Sequence, residues 1–360
     1  MTAIPVRRTG GSASRALPRP GAALALGVLA LLLIVVAVVS STVGPAGIPL
    51  QRLAAAIGLT QGGADLVRDQ LVLWSVRLPR IVMAAMVGTM LAVAGAVMQG
   101  LFRNPLADPA LIGVSSGAAF AAASTIVMTE RLAPLAALLP VDPLPVAAFL
   151  GALIATIALY RIATHSGRTS IAILLLGGLA IAAMTNAGLG LLIYLANDQQ
   201  LRDINFWLLG SLGGATWHRV ATIAPFLLVT LGLLPLIARG LDLLSLGESE
   251  AFHAGIAVER LKRITIVLIA AAIGAAVSVS GVIGFVGIVI PHLLRIVIGP
   301  GHRLLLPASA LLGAALLLAA DTVARTIVAP AELPIGIVTA AIGAPFFLVL
   351  LLRQRTLVGL

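Results

Sequence analysis

The sequence contains no cysteine. That excludes disulfides, thiolate metal sites, a cysteine nucleophile and cysteine-ligated heme. Charge is scarce too: 10% of the 360 residues are Asp, Glu, Lys or Arg, while 60% are hydrophobic. A water-facing domain carries about a quarter charged residues, so lipid must be the solvent for most of this chain. Lys262 is the only lysine, and it stands between Leu261 and Arg263. No Gly-Lys-Ser/Thr exists, which excludes ATP binding through a Walker A loop. The five histidines include no His-x-x-x-His pair, which excludes a zincin site. The formal net charge of +10 comes from arginines placed singly or in pairs, without interleaved aromatics. That pattern argues against a nucleic-acid partner.

What the chain does have is long apolar runs. Residues 1–20 form a basic tail with Arg7, Arg8, Arg15 and Arg19 among Pro, Gly and Ser. The run Gly21–Val43 follows. It is longer than the core of a cleavable signal peptide, about 7–15 residues, and reads as a retained first helix. Further spans are predicted at Ile81–Phe102, Ala110–Thr129, Leu144–Tyr160, Ile171–Ala196, Val220–Ala238, Leu304–Ala320 and Leu333–Leu352. The stretch Ile264–Ile298 is too long for one crossing of about 20 residues. Gly281, Gly284 and Gly287 divide it into two helices, the second short. The fold class is therefore all-α integral membrane with about ten transmembrane helices. Even parity puts both termini on one side. With that side cytoplasmic, inner segments hold 15 of the 23 Lys+Arg, as the positive-inside rule requires.

Several polar segments punctuate these runs. Arg77 and Arg80 flank Pro79 ahead of the second span, where Pro suits a first helical turn; with Trp74 they serve equally well as interfacial anchors. Asp321 and Arg325, four apart, are expected to pair within one helix. The turn Gln99–Pro109 holds Asn104, Leu106 and two prolines. Gly113–Gly117 matches the G-x-S-x-G nucleophile elbow, but no strand precedes it. Its small residues favour close helix packing instead. The inner segment Arg239–Arg263 carries Glu248 and Glu250 early and Arg260, Lys262 and Arg263 late. It is read as two short helices along the membrane face, broken at Gly255.

Taken together, these segments resemble the permeases of type II ABC importers for iron-siderophores, heme and vitamin B12. The matching stretches are RLPR at Arg77–Arg80, QGLFRNPLADPALIGVSSGA at Gln99–Ala118 and LSLGESEA at Leu244–Ala251. SGVIGFVGIVIPHLLR at Ser280–Arg295, HRLLLP at His302–Pro307 and Ala320–Phe347 complete the set. The resemblance implies a permease domain over residues 21–360, with cytoplasmic coupling helices at about 240–262. It also implies a second copy of the chain, two ATPase subunits carrying ATP and Mg, and a periplasmic binding protein. It assigns Arg77, Arg80 and Arg325 to docking of the binding protein, and Asn104 and Leu106 to the cytoplasmic gate. Leu246, Gly247, Glu248, Ala251 and Gly255 fall to ATPase coupling; Ala254 departs from the larger apolar residue common at its position. No residue is assigned to catalysis or to a metal, and no cofactor is bound permanently.

Asp198–Arg202 and Phe206–Trp217 look most like the heme branch, with Arg202 a candidate for substrate contact unless it pairs with Asp198. The expected activity is import of heme from periplasm to cytoplasm across the bacterial inner membrane by alternating access. A ferric siderophore or cobalamin is the alternative cargo. An intramembrane hydrolase using Ser115 and an ion-coupled secondary transporter are the rivals of other classes.

Overall fold

The computed structural model describes residues 21–44, 47–60, 63, 65–129 and 142–358; the basic tail 1–20 and Arg131 lie outside them. Within a bilayer, backbone N–H and C=O groups find partners only along the chain itself, so the apolar runs become helices. In order these are α1 (Ala22–Thr42), α2 (Leu50–Ala56), α3 (Leu66–Leu71), α4 (Leu78–Phe102) and α5 (Val114–Val127). Next come α6 (Pro143–Ala163), α7 (Ile171–Leu195), α8 (Asp198–Leu208), α9 (Trp217–Leu246) and α10 (Glu248–His253). The last four are α11 (Val258–Ser280), α12 (Val286–Ile298), α13 (His302–Ala324) and α14 (Ile335–Val358). A small hairpin of β1 (Thr164–His165) and β2 (Arg168–Thr169) joins α6 to α7. Among the described residues, seven helices are long and apolar enough to cross a membrane, and Val114–Val127, Val286–Ile298 and Ile335–Leu350 add three shorter apolar ones. These are the ten expected spans.

The second span differs from expectation. Helix begins at Leu66, not near Ile81, and a π-helical stretch at Val72–Arg77 leads into α4. Pro79 therefore sits inside a continuous helix. The reason is visible in the hydrogen bonds. Leu78 N–H reaches back five residues to the Leu73 carbonyl, and Pro79 has no N–H to offer Trp74. The Trp74 carbonyl instead accepts the indole N–H of Trp217 at 2.8 Å. The wide turn absorbs the proline and leaves its orphaned acceptor satisfied from α9.

Helix α4 is the axis of the molecule: 83% of its apolar window is buried, against 6% for α1. Its neighbours approach closely because small residues meet. Gly88 of α4 lies against Gly313 of α13, and Gly95 against Gly287 of α12; in both places a Cβ would strike backbone. Gly117, the last residue of the G-x-S-x-G match, packs in the same way on Gly151 of α6. That segment serves helix packing, as small-residue motifs in membranes do.

The segment Arg239–Arg263 also departs from expectation. Only α10 is a short helix. Gly255, with φ of 84°, turns the chain directly into α11, so Arg260, Lys262 and Arg263 belong to the first turns of a spanning helix. Val258, Leu261 and Thr265 of those turns are buried, which commits the segment to the bundle rather than to its surface.

Candidate functional site

Polar side chains gather at the two ends of the bundle. At one end, α1 terminates and exposes its last carbonyls, which a helix cannot satisfy internally. Two guanidinium groups meet them: Arg77 donates to the Ser41 carbonyl, and Arg325 to the Ser40 carbonyl and, at 2.8 Å, to Ser40 Oγ. Cations suit this negative helix end. Arg80 grips Asp321 with Nε at 3.0 Å and Nη2 at 2.9 Å, while its Nη1 donates to Glu332 at 2.7 Å. The three arginines thus come together, around a cavity of about 200 Å³ also lined by Asp321 and Glu332. Arg77 and Arg325 are buried, at 5% and 6% exposed.

The expected pairing of Asp321 with Arg325, four residues on, is present, but Asp321 has a second and tighter partner in Arg80. The separation from Arg325 is 3.7 Å, longer than the two-pronged contact with Arg80. The buried carboxylate is matched by the fork that can reach both its oxygens. Glu332 belongs to the same cluster and was not singled out by sequence; its only signal was an acid closely following Pro330 in the matched stretch.

At the other end, Arg103 adopts a left-handed conformation with φ of 51° and ends α4. Asn104 Oδ1 then accepts the N–H of Leu106 at 2.9 Å, which fixes the turn holding both predicted gate residues. Asp108 caps the next helical turn by accepting the Ala110 N–H at 2.8 Å. Desolvation pushes its carboxyl above the ordinary Asp range, opposed by that hydrogen bond.

The coupling segment lies at this same end. Gly247, φ 143°, opens α10. Ala251 is fully buried, whereas Leu246 and Phe252 present 70% and 68% of their surface to the outside. Glu248 accepts from Lys262 Nζ at 2.8 Å. Lys262 is itself buried and also donates to Glu259 at 3.0 Å and to the Thr169 carbonyl at 3.1 Å. Glu259 in turn accepts the Thr169 N–H at 3.0 Å. In the sequence Lys262 counts only as a cytoplasmic-side basic residue and against a Walker loop; its buried ion pairs were not foreseen. The signal it held was a lone lysine at helical spacing among apolar residues, with Glu259 one turn earlier.

Arg202, the substrate candidate, is on α8 far along the chain from both clusters. It donates to Gln199 at 2.8 Å rather than pairing with Asp198. Asp198 sits in the first turn of α8, where Asn197 and Gln200 form a capping box.

A helical bundle of ten spans, with an arginine cluster at one end and the short, partly exposed helix α10 at the other, defines a membrane transport subunit. Residues 31–353 match the FecCD transport family, and the chain belongs to it: a permease subunit of the type II ABC importers. It is 50% identical to a hemin transport system permease protein of Yersinia pestis, over 78% of this chain and 83% of that one. A cobalamin import system permease protein of Halobacterium salinarum is 46% identical over 79% and 74% of the two chains. The fold is similar to a structure described as an inward-facing conformation of a metal-chelate type ABC transporter. The TM-score is 0.79 with 35% identity, covering 91% of this chain and 98% of that one.

Proposed function

We propose that this permease carries heme, working as a homodimer with two ATPase subunits and a periplasmic binding protein, its termini in the cytoplasm. The observation that carries the cargo is the 50% identity to a hemin permease across most of both chains. Cobalamin is the second reading, favoured by the relative at 46%. A transport pathway must release what it admits, so contact with the porphyrin is transient.

Arg77, Arg80 and Arg325 form the docking surface for acidic residues of the binding protein. Arg80 reaches the rim, and the two buried arginines act beneath it through the field they add. Asn104 and Leu106 narrow the cytoplasmic exit. Leu246, Gly247, Glu248, Ala251 and Gly255 form the lever on which the ATPase pushes, with exposed Leu246 and Phe252 as the apolar contact. Reconstitution in liposomes with ATPase and binding protein tests the cargo: ATP-driven heme uptake is expected, and uptake of cobalamin or a siderophore alone would overturn it.

A further inference from the structure

A recess of about 710 Å³ opens between Leu26 of α1, the stretch Leu231–Ala238 of α9 and the stretch His302–Leu311 of α13. It is the size of an ordinary ligand pocket, and its walls are almost wholly aliphatic. Two prolines shape it. Pro235 and Pro307 lie inside their helices and both line the recess. Neither offers an N–H, so the carbonyls one turn earlier, on Leu231 and Arg303, lose their helical donors; both of those residues also line the recess.

Its charge is one-sided. Arg303 stands at the start of α13, and exposed Arg239 follows the lining residue Ala238. Among the described residues neither makes an ion pair. The nearby acid, Asp242, is taken by His302, accepting its N–H at 2.8 Å and contacting Nδ1 at 2.7 Å. The recess thus joins an apolar slot to the unneutralised guanidinium of Arg303 in its wall, with Arg239 one residue beyond the lining residue Ala238. Slots of this kind between spanning helices hold anionic headgroups.

We infer that this recess binds an anionic phospholipid, with acyl chains between α1, α9 and α13 and its phosphate held by Arg239 and Arg303. The site is separate from the docking cluster, the gate turn and α10, and does not depend on the cargo.

Native mass spectrometry of the purified full chain, titrated in mixed micelles with phosphatidylglycerol or phosphatidylcholine, tests it. Retention of phosphatidylglycerol at several-fold lower concentration than phosphatidylcholine is expected. The double variant R239Q/R303Q should bring the two together, while R239K/R303K keeps the preference and shows that the charge is responsible. A310W, which fills the slot, should reduce retention of both lipids. Equal retention by the wild type, or an undiminished preference in R239Q/R303Q, would overturn the site. Because the chain has no cysteine, L311C reports other occupants: a disulfide between two copies would mean that the slot is covered by a second chain, and would also overturn it.

Discussion

Arg80 and Asp321 stand 241 positions apart and are joined through both oxygens of a carboxylate that is 1% exposed. The pair fastens the entry of α4 to the exit of α13. Removing one partner of a buried pair leaves an uncompensated charge and costs about 3–5 kcal/mol. Asp321→Ala would take the shared carboxylate from both Arg80 and Arg325. We expect it to lower the stability of the detergent-solubilised protein by about that amount, read as a drop in thermal unfolding temperature. A loss no greater than that of an ordinary surface substitution, within about 0.5 kcal/mol, would show that the pair does not hold these helices.

Glu332 plays a different part from Asp321. It is half-exposed and occupies the Nη1 of Arg80, the outward side of the guanidinium. An acidic partner docking on Arg80 must therefore compete with it. Glu332→Gln removes the competitor and adds a net positive charge to the rim. Binding-protein affinity in a low-salt titration should rise two- to about fivefold, the range of a rim ion pair, chiefly through faster association. Weaker binding would mean that Glu332 orients Arg80 for the partner. The charge reversals R77E, R80E and R325E together should abolish binding-protein stimulation of ATP hydrolysis by the assembled complex, and unchanged stimulation would remove the docking assignment.

How much of this was legible in sequence depends on the range of the force involved. Spans such as Ile171–Leu195 are written locally, because each needs its own apolar length. The G-x-S-x-G stretch was legible as packing for the same reason, since small residues matter wherever helices touch. The tighter partner of Asp321 was not: the i,i+4 arginine is local and is present, but Arg80 reaches the carboxylate only because α4 and α13 pack together along the Gly88–Gly313 contact. The upstream extension of α4 was hidden by Pro79, which normally marks a start; a π-turn and a distant tryptophan are needed to keep the helix intact. Lys262 escaped because its acceptors come from three separate elements. Glu332 escaped because its partner, Arg80, stands on α4, 252 positions earlier.

The joint around Lys262 ties the β1–β2 hairpin, α10 and the first turn of α11 with one ammonium group. Lys262→Met keeps the apolar stem but leaves Glu248 and Glu259 without their cation. Charged hydrogen bonds of this kind contribute about 1.5–3 kcal/mol each, reduced here because both glutamates are partly exposed. Stability should fall modestly. The informative readout is coupling: ATP hydrolysed per cargo molecule moved should rise in K262M and recover largely in K262R. A variant that is less stable yet equally coupled would assign the cluster to folding alone.

Close helix approach can be tested where no side chain can give way. A Cβ at Gly95 would run into the carbonyl, C and Cα atoms of Gly287, and backbone does not rotate aside as a side chain does. Gln99, one turn further along α4, donates to the Gly287 and Ile288 carbonyls at 3.3 and 3.4 Å and accepts from Arg295. Pushing α12 away would break that set as well. Gly95→Ala should therefore destabilise by at least the 1–3 kcal/mol typical of overpacking. Gly232 of α9 has nothing within 4 Å of where its Cβ would be, so Gly232→Ala should be neutral or stabilising by up to about 1 kcal/mol through helix propensity. Thermal unfolding of the two variants side by side separates the effects. If both shift alike, the glycine contact between α4 and α12 is not what sets their spacing, and the short helix α12 would have to be positioned by its Gln99 hydrogen bonds instead.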